Sequence, residues 1–245
     1  MIRNWTARPG TKRTRLFAAF DSLLVLTVLS SRNVLLLTFE QIDLLQLYEK
    51  YQTKTVFHVG DIVRWKAGLK SRNVPGSDDV AIVTEIFPAP VFDPKSTSAG
   101  APTFHEPLTI RIGLILDNMF REFFFEGARL EVVDTNELTE DQRNQAEQLT
   151  MFREYLHQPR AQPLAVGDIV RWKPGMRDSK FPKDSQQVVV METFPAYVSD
   201  KKGACSTGFR EPVDVRLAFL DEDDDVRMFV FDSRRFEKVP ESEIL

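Results

Sequence analysis

The chain has 245 residues, 42% of them apolar and 28% charged, with a formal net charge of −4. This is the composition of an ordinary globular protein, and the mildly acidic balance gives the chain as a whole no attraction for phosphate backbones or anionic membranes. A single cysteine, Cys205, excludes a disulfide framework and a cysteine-built zinc site; the fold must rest on its apolar core, and low cysteine use fits a reducing, cytoplasmic location.

Residues 1–36 hold six basic residues (Arg3, Arg8, Lys12, Arg13, Arg15 and Arg32) against one acid, Asp21, so the other 209 residues carry −9. An apolar run, LFAAFDSLLVLTVL, extends from Leu16 to Leu29. Three readings stay open. A secretory signal has the basic start, the apolar stretch and Val28-Leu29-Ser30 as a cleavage site, with Asp21 counting against it. A membrane anchor needs about 20 apolar residues; this run has 14, and Arg32 interrupts its extension. The third reading is an extension outside the folded unit, favoured because these residues have no counterpart elsewhere in the chain. Export or anchoring through residues 1–36 is the alternative to a cytoplasmic location, and otherwise no membrane contact is expected.

The first predicted element is a helix. Thr38 with Gln41 has the capping-box spacing, as has Thr139 with Gln142. Helices are predicted over about 38–52 and 139–157, with apolar stripes at Ile42, Leu45 and Tyr48 and at Leu149, Phe152, Tyr155 and Leu156.

Next comes the octapeptide VGDIVRWK, at Val59–Lys66 and again 107 positions on at Val166–Lys173. The repeat continues well beyond it. Gly68 matches Gly175, Pro75 matches Pro182, Glu85 matches Glu192, and Phe87-Pro88-Ala89 matches Phe194-Pro195-Ala196. Asp93 matches Asp200. After a loop two residues shorter in the second copy, Phe104-His105-Glu106-Pro107 lies over Phe209-Arg210-Glu211-Pro212, and REFFFEGARLEVV lies over RMFVFDSRRFEKV. So many matches in one order define an internal duplication. The predicted organisation is an extension over 1–36, a first repeat over 37–133 and a second over 134–245.

Within one repeat, Gly60-Asp61 turns the chain into a strand at Ile62–Lys66, with Val63 and Trp65 on one face and Ile62, Arg64 and Lys66 on the other. A polar loop follows to Asp79, then strands at Val80–Phe87, Leu108–Leu116, Phe120–Glu126 and Arg129–Val133. In Leu108–Leu116 the alternation is clean: Leu108, Ile110, Ile112 and Leu114 on one side, Thr109, Arg111 and Gly113 on the other. Val213, Val215, Leu217 and Phe219 repeat it. The five short strands, the long first loop and the GD-x-V opening resemble SH3-like small β-barrels over about 57–133 and 164–240. The expected fold is α+β: each copy a capped helix followed by a five-stranded SH3-like barrel. The resemblance implies a fold and no particular activity.

Trp65 and Trp172 read first as wall residues of the barrel and second as an aromatic groove. Arg64, Lys66, Lys70 and Arg72 in the first copy, with Arg171, Lys173, Arg177, Lys180 and Lys183 in the second, are the candidate basic surface. The matched Arg111/Arg216 and Glu85/Glu192 read as surface ion pairs. Glu106 and Glu211 are expected to tie down the preceding loop by accepting backbone amides. The run Asp221–Asp225 has no glycine turn and reads as a solvated hairpin tip, not a calcium loop. His58 and His105 are replaced by Ala165 and Arg210 in the second copy, and His157 lies near a helix end. No metal-ligand spacing, phosphate-binding glycine loop or nucleophile elbow is present. The expected role is therefore non-catalytic binding of a protein partner through the loops and edges of two barrels, with no cofactor. A nucleic-acid- or ribosome-associated protein using the basic first loops is the alternative, and an enzyme with a site of distant residues is the third reading.

Overall fold

A computed structural model describes residues 44–96, 98–101, 103–158, 163–198, 203–204 and 209–244. The predicted extension over 1–36, the Thr38–Gln41 cap, Asp200 and Cys205 lie outside the described residues. Residues 1–52 and 53–245 are separate compact units. Of the first, residues 44–52 are helical (α1), with Leu44, Leu45 and Tyr48 exposed.

The unit 53–245 is α+β. The first sheet is built from β1 (Ile62–Trp65), β2 (Ala81–Val91), β3 (Leu108–Leu116), β4 (Met119–Phe125) and β5 (Leu130–Val132), in the order β4-β3-β2-β1-β5. Helix α2 (Glu140–His157) follows. The second sheet is built from β6 (Ile169–Trp172), β7 (Val188–Val198), β8 (Pro212–Leu220), β9 (Val226–Phe231) and β10 (Phe236–Lys238), in the same order read from its other end. All ladders are antiparallel. Single-turn 3-10 helices, Gly127–Arg129 and Ser233–Arg235, lead into β5 and β10.

The sheets are open, not the closed barrels that the sequence predicts. Among the described residues no ladder joins β4 to β5 or β9 to β10. β5 and β10 are three residues each, and their pairing is with β1 and β6. The predicted strands are otherwise present, with β2 running on to Val91 through register shifts after Val83 and Ile86.

Local chemistry accounts for the elements. α2 begins with the reciprocal capping box: the Gln142 amide donates to Thr139 Oγ1 (3.3 Å) and the Thr139 amide to Gln142 Oε1 (3.1 Å). β3 and β4 join at Asp117-Asn118, both at positive φ (52° and 59°), the mirror-image turn that matches strand twist. The Asp221–Asp225 tip is an exposed hairpin turn in which Asp221 Oδ1 accepts the amides of Asp223 and Asp225.

The inner face of the first sheet buries Val63, Trp65, Ala81, Val83, Ile110, Ile112, Leu114, Phe125 and Leu130. The second sheet does the same with Val170, Trp172, Val188, Val190, Val215, Leu217 and Phe236. The predicted alternation in β3 and β8 is the basis of both cores. α2, placed by the sequence at the head of the second repeat, covers the outer face of the first sheet. Its Ala146, Leu149 and Leu156 pack with Ile62, Val80, Ile82, Phe120 and Leu138. Each such fully buried side chain contributes on the order of 1.5–3 kcal/mol.

Candidate functional site

Both copies of VGDIVRWK serve the fold in the same way. Gly60 and Gly167 lie in the left-handed region, at φ 103° and 92°, where a side chain would be strained. Their amides donate to Val83 O and Val190 O at 2.8 Å. Asp61 and Asp168 close the turn by accepting the amides of His58 (2.7 Å) and Ala165 (2.6 Å). The indole Nε1 of Trp65 donates to Pro75 O and that of Trp172 to Pro182 O, both at 2.9 Å. Each indole meets a phenyl ring edge-on, Phe125 at 5.4 Å and Phe231 at 5.6 Å.

Lys66 and Lys173, expected to face outward, are buried. Lys66 Nζ donates to Thr53 O (2.7 Å) and Lys173 Nζ to Tyr155 O (2.8 Å). An ammonium removed from water needs such a partner, and in each copy it takes a carbonyl in the segment upstream of the repeated strand.

Most of the candidate cations are paired with acids or buried. Arg64 pairs with Glu131 (2.8 Å) and Arg171 with Glu237 (2.9 Å), directly across the β1–β5 and β6–β10 ladders. Arg177 pairs with Asp184 at 3.3 Å and Lys183 with Glu222 at 3.0 Å. Arg72 is half-buried over the Phe125 ring, and Lys70 and Lys180 are exposed. The matched pairs Arg111–Glu85 (3.1 Å) and Arg216–Glu192 (2.7 Å) both form, the second at the surface as expected and the first with its arginine buried. Glu106 and Glu211 do tie segments down, but by accepting guanidinium and not amide hydrogens. Glu106 takes Arg72 Nη2 and Glu211 takes Arg235 Nε, both at 2.6 Å. Reading a loop locally misses a partner 34 or 24 residues away.

The junction between the sheets was not legible in the sequence. The Phe120 amide, on β4, donates to Gly175 O at 2.7 Å. Phe209 meets Phe124 edge-on at 4.9 Å, and the Arg111 guanidinium lies over the Phe124 ring at 4.6 Å while donating to Arg210 O at 3.4 Å. The two long loops also meet, the Ala204 amide donating to Asp93 Oδ2 at 2.6 Å. At the centre is Arg235, buried, donating to Phe120 O (3.3 Å), Met176 O (3.1 Å) and Glu211. Asp178 lies 3.5 Å and Glu122 3.8 Å from it.

Arg234 and Arg235 thus face four carboxyls: Glu122, Asp178, Glu211 and Asp232. Burial pulls the Arg235 guanidinium down, but Glu211, Asp178, Glu122 and Asp232 outweigh it and hold it above its usual range. Burial pushes the Glu211 carboxyl up to about 8, against the pull of Arg235 and with the help of Asp178 and Asp232. Four carboxyls against two guanidiniums favour proton uptake within the cluster, and burial makes Glu211 the carboxyl whose pKa is raised. Burial lowers His157, near the end of α2, with Arg234 and Arg153 adding to the effect and Glu122 and Asp232 opposing it.

The outer faces of the two sheets differ sharply. On the first, Ile115, Phe120, Glu122 and Phe124 are covered by α2 and by Met176 and Phe209 of the second repeat. Their counterparts on the second sheet are Leu220, Val226, Met228 and Val230. Their cross-strand partners place Val226, Met228 and Val230 on the face opposite the core. These four are 53%, 59%, 50% and 37% exposed. Ile244, the counterpart of the buried Leu138, is also exposed. β9 is in addition an edge strand. Contiguous exposed apolar side chains on an uncovered edge are the signature of an interaction surface.

Two open grooves flank α2. One, of about 750 Å3, runs along Phe152, Tyr155 and His157; the other, of about 710 Å3, runs along Leu138, Ala146 and Thr150. Among the described residues no group of three or more His, Cys, Asp or Glu is placed to hold a metal ion, and no helix is long and apolar enough to cross a membrane. No protein family, curated protein or solved structure matches the chain.

Proposed function

We propose that this is a non-catalytic binding protein made of two SH3-like units, and that its partner is a protein taken on the outer face and β9 edge of the second sheet. The SH3-like reading is supported by the strand order, the long loop after β1, the tight turn between β3 and β4, and the 3-10 turn before β5, all present twice. The binding reading is carried by one observation. Leu220, Val226, Met228 and Val230 are exposed where their counterparts in the first repeat are buried (Phe120, Phe124) or partly buried (Ile115, Glu122). A patch of this kind in a duplicated fold has a known cover in one copy and, among the described residues, is exposed in the other.

The test is capture with the full chain as bait, beside the double variant Val226→Asp, Val230→Asp. A protein that is captured, purified and then rebinds the wild type but not the variant supports the reading, provided the two melt at the same temperature. A partner that binds both equally overturns the assignment of the face.

A further inference from the structure

We infer that the partner binds by adding an extended segment to the β9 edge, one that is apolar at alternate positions and carries arginine or lysine. This rests on the docking face proposed above and names the chemistry of its occupant.

Backbone geometry sets what the edge offers. In an antiparallel pair, bonded and non-bonded positions alternate along each strand. The Asp221 amide donates to Asp225 O at 2.9 Å, so Arg227, Phe229 and Phe231 turn their amides and carbonyls toward β8. Val226, Met228 and Val230 turn theirs toward the open edge. The same three residues carry the exposed apolar side chains of the outer face.

The first repeat shows what such an edge takes. The counterparts on β4 are Phe120, Glu122 and Phe124. The Phe120 amide donates to Gly175 O at 2.7 Å. Phe120 O accepts from Arg235 Nη1 at 3.3 Å, and Phe124 O accepts from Arg72 Nη1 at 2.8 Å. A backbone carbonyl thus takes the edge amide, and guanidiniums take the edge carbonyls. On β9 these groups are open. Ser179 stands in the place of Arg72, and among the described residues no hydrogen bond reaches the edge groups of Val226, Met228 or Val230.

Charge selects the same chemistry. β9 leaves the turn Asp221–Asp225, in which every residue is acidic. Arg227 pairs with Asp221 and Asp225, and Lys183 pairs with Glu222. Asp223 and Asp224 are exposed and have no ion pair among the described residues. At the far end of the apolar stripe Arg216 and Glu192 neutralise each other. A cation on the incoming segment is therefore drawn to the turn, and an anion is repelled. Between the two ends, alternate apolar side chains lie on Val226, Met228 and Val230 while main-chain bonds form along the edge, the mode of strand addition.

Two synthetic peptides of alternating valine and threonine test this against the full chain. One has a pair of arginines at its C-terminal end, for antiparallel addition; the other has the pair at its N-terminal end, for parallel addition. With one of them, nuclear magnetic resonance should show saturable shifts at the amides of Val226, Met228 and Val230. Replacing the peptide's arginines by glutamates, or combining Asp223→Lys with Asp224→Lys in the protein, should weaken binding several-fold. N-methylation of the peptide's edge-facing amides should abolish it, and so should Val226→Asp with Val230→Asp. Equal melting temperatures show that the variants fold.

Binding that survives N-methylation, or that ignores the charge changes, overturns the inference, as does binding of neither peptide. A wild type that self-associates, and loses this in the double aspartate variant, makes a second copy the occupant and overturns it as well. Peptide binding that survives the double aspartate variant overturns both the inference and the docking face. If neither peptide binds but a purified partner rebinds the wild type and not that variant, strand addition fails alone and the docking face stands.

Discussion

Gly113 lies directly beneath the ring of Phe120: a methyl group on its Cα would overlap the ring carbons Cζ and Cε2 and press on Ile82 at 3.2 Å. The glycine is what lets Phe120 lie across the sheet and reach Phe152 of α2, 6.1 Å away between ring centres. The second repeat has Ala218 and Val226 at these two positions, so the larger residue on one strand accompanies the smaller on its neighbour.

Gly113→Ala should therefore destabilise the fold by about 1–3 kcal/mol through overpacking. Adding Phe120→Val should make the double variant less destabilised than the sum of the two single changes. Urea midpoints of the four proteins complete the cycle. Strict additivity would show that the pair is not coupled.

Arg235 holds the two sheets through carboxylates and carbonyls of both repeats. Arg235→Met leaves Glu211, Asp178 and Glu122 without their cation and should cost about 3–5 kcal/mol, the range for removing one partner of a buried ion pair. Arg129→Met, at the matching but more exposed position, should cost clearly less. Denaturant unfolding of the two variants measures the difference, and equal losses would contradict the role given to the junction.

The Glu211 carboxyl gives the junction a pH dependence. Its folded value, raised to about 8 chiefly by burial, lies above that of the unfolded chain, so the folded state holds the proton more tightly. This contribution to stability is complete below about pH 4, the unfolded carboxyl range, and is lost as pH rises through 8. Stability should fall from mildly acidic to mildly basic pH, and Glu211→Gln, neutral throughout, should flatten that fall. A profile unchanged by the substitution would assign the proton elsewhere.

The two indoles make equivalent bonds and should show it. Trp65→Phe and Trp172→Phe each leave a buried proline carbonyl without its donor, at a cost of about 1–3 kcal/mol. Thermal melting of both variants should give losses of similar size. A neutral change at either position would mean that water or another donor replaces the indole there.

Where the cause is local, the sequence reading and the structure agree. The Thr139–Gln142 cap, the alternation of β3 and β8, the GD turns and the hairpin at Asp117-Asn118 each involve groups a few residues apart, so spacing alone carries the information. Lys66 and Lys173 read as outward because alternation says nothing about a carbonyl 13 or 18 residues upstream. The basic loops read as a surface because their partners, Glu131, Glu237 and Glu222, are distant in the chain. Arg235 was silent altogether: its counterpart Arg129 holds the same place in the repeat and has a different set of neighbours in space.

By itself, the sequence determined that one unit of structure occurs twice, with the same turn, the same packed tryptophan and the same strand order. Those properties depend on short-range chemistry that identical letters reproduce. Only the tertiary structure decided that the two units are unequal in their surroundings. Burial is a property of what lies against a face, and α2 and the second repeat can lie against the first sheet only once. Among the described residues the outer face of the second sheet is left exposed for that reason, and the two copies of VGDIVRWK, which share their turn and indole hydrogen bonds, stand in sheets with different surroundings.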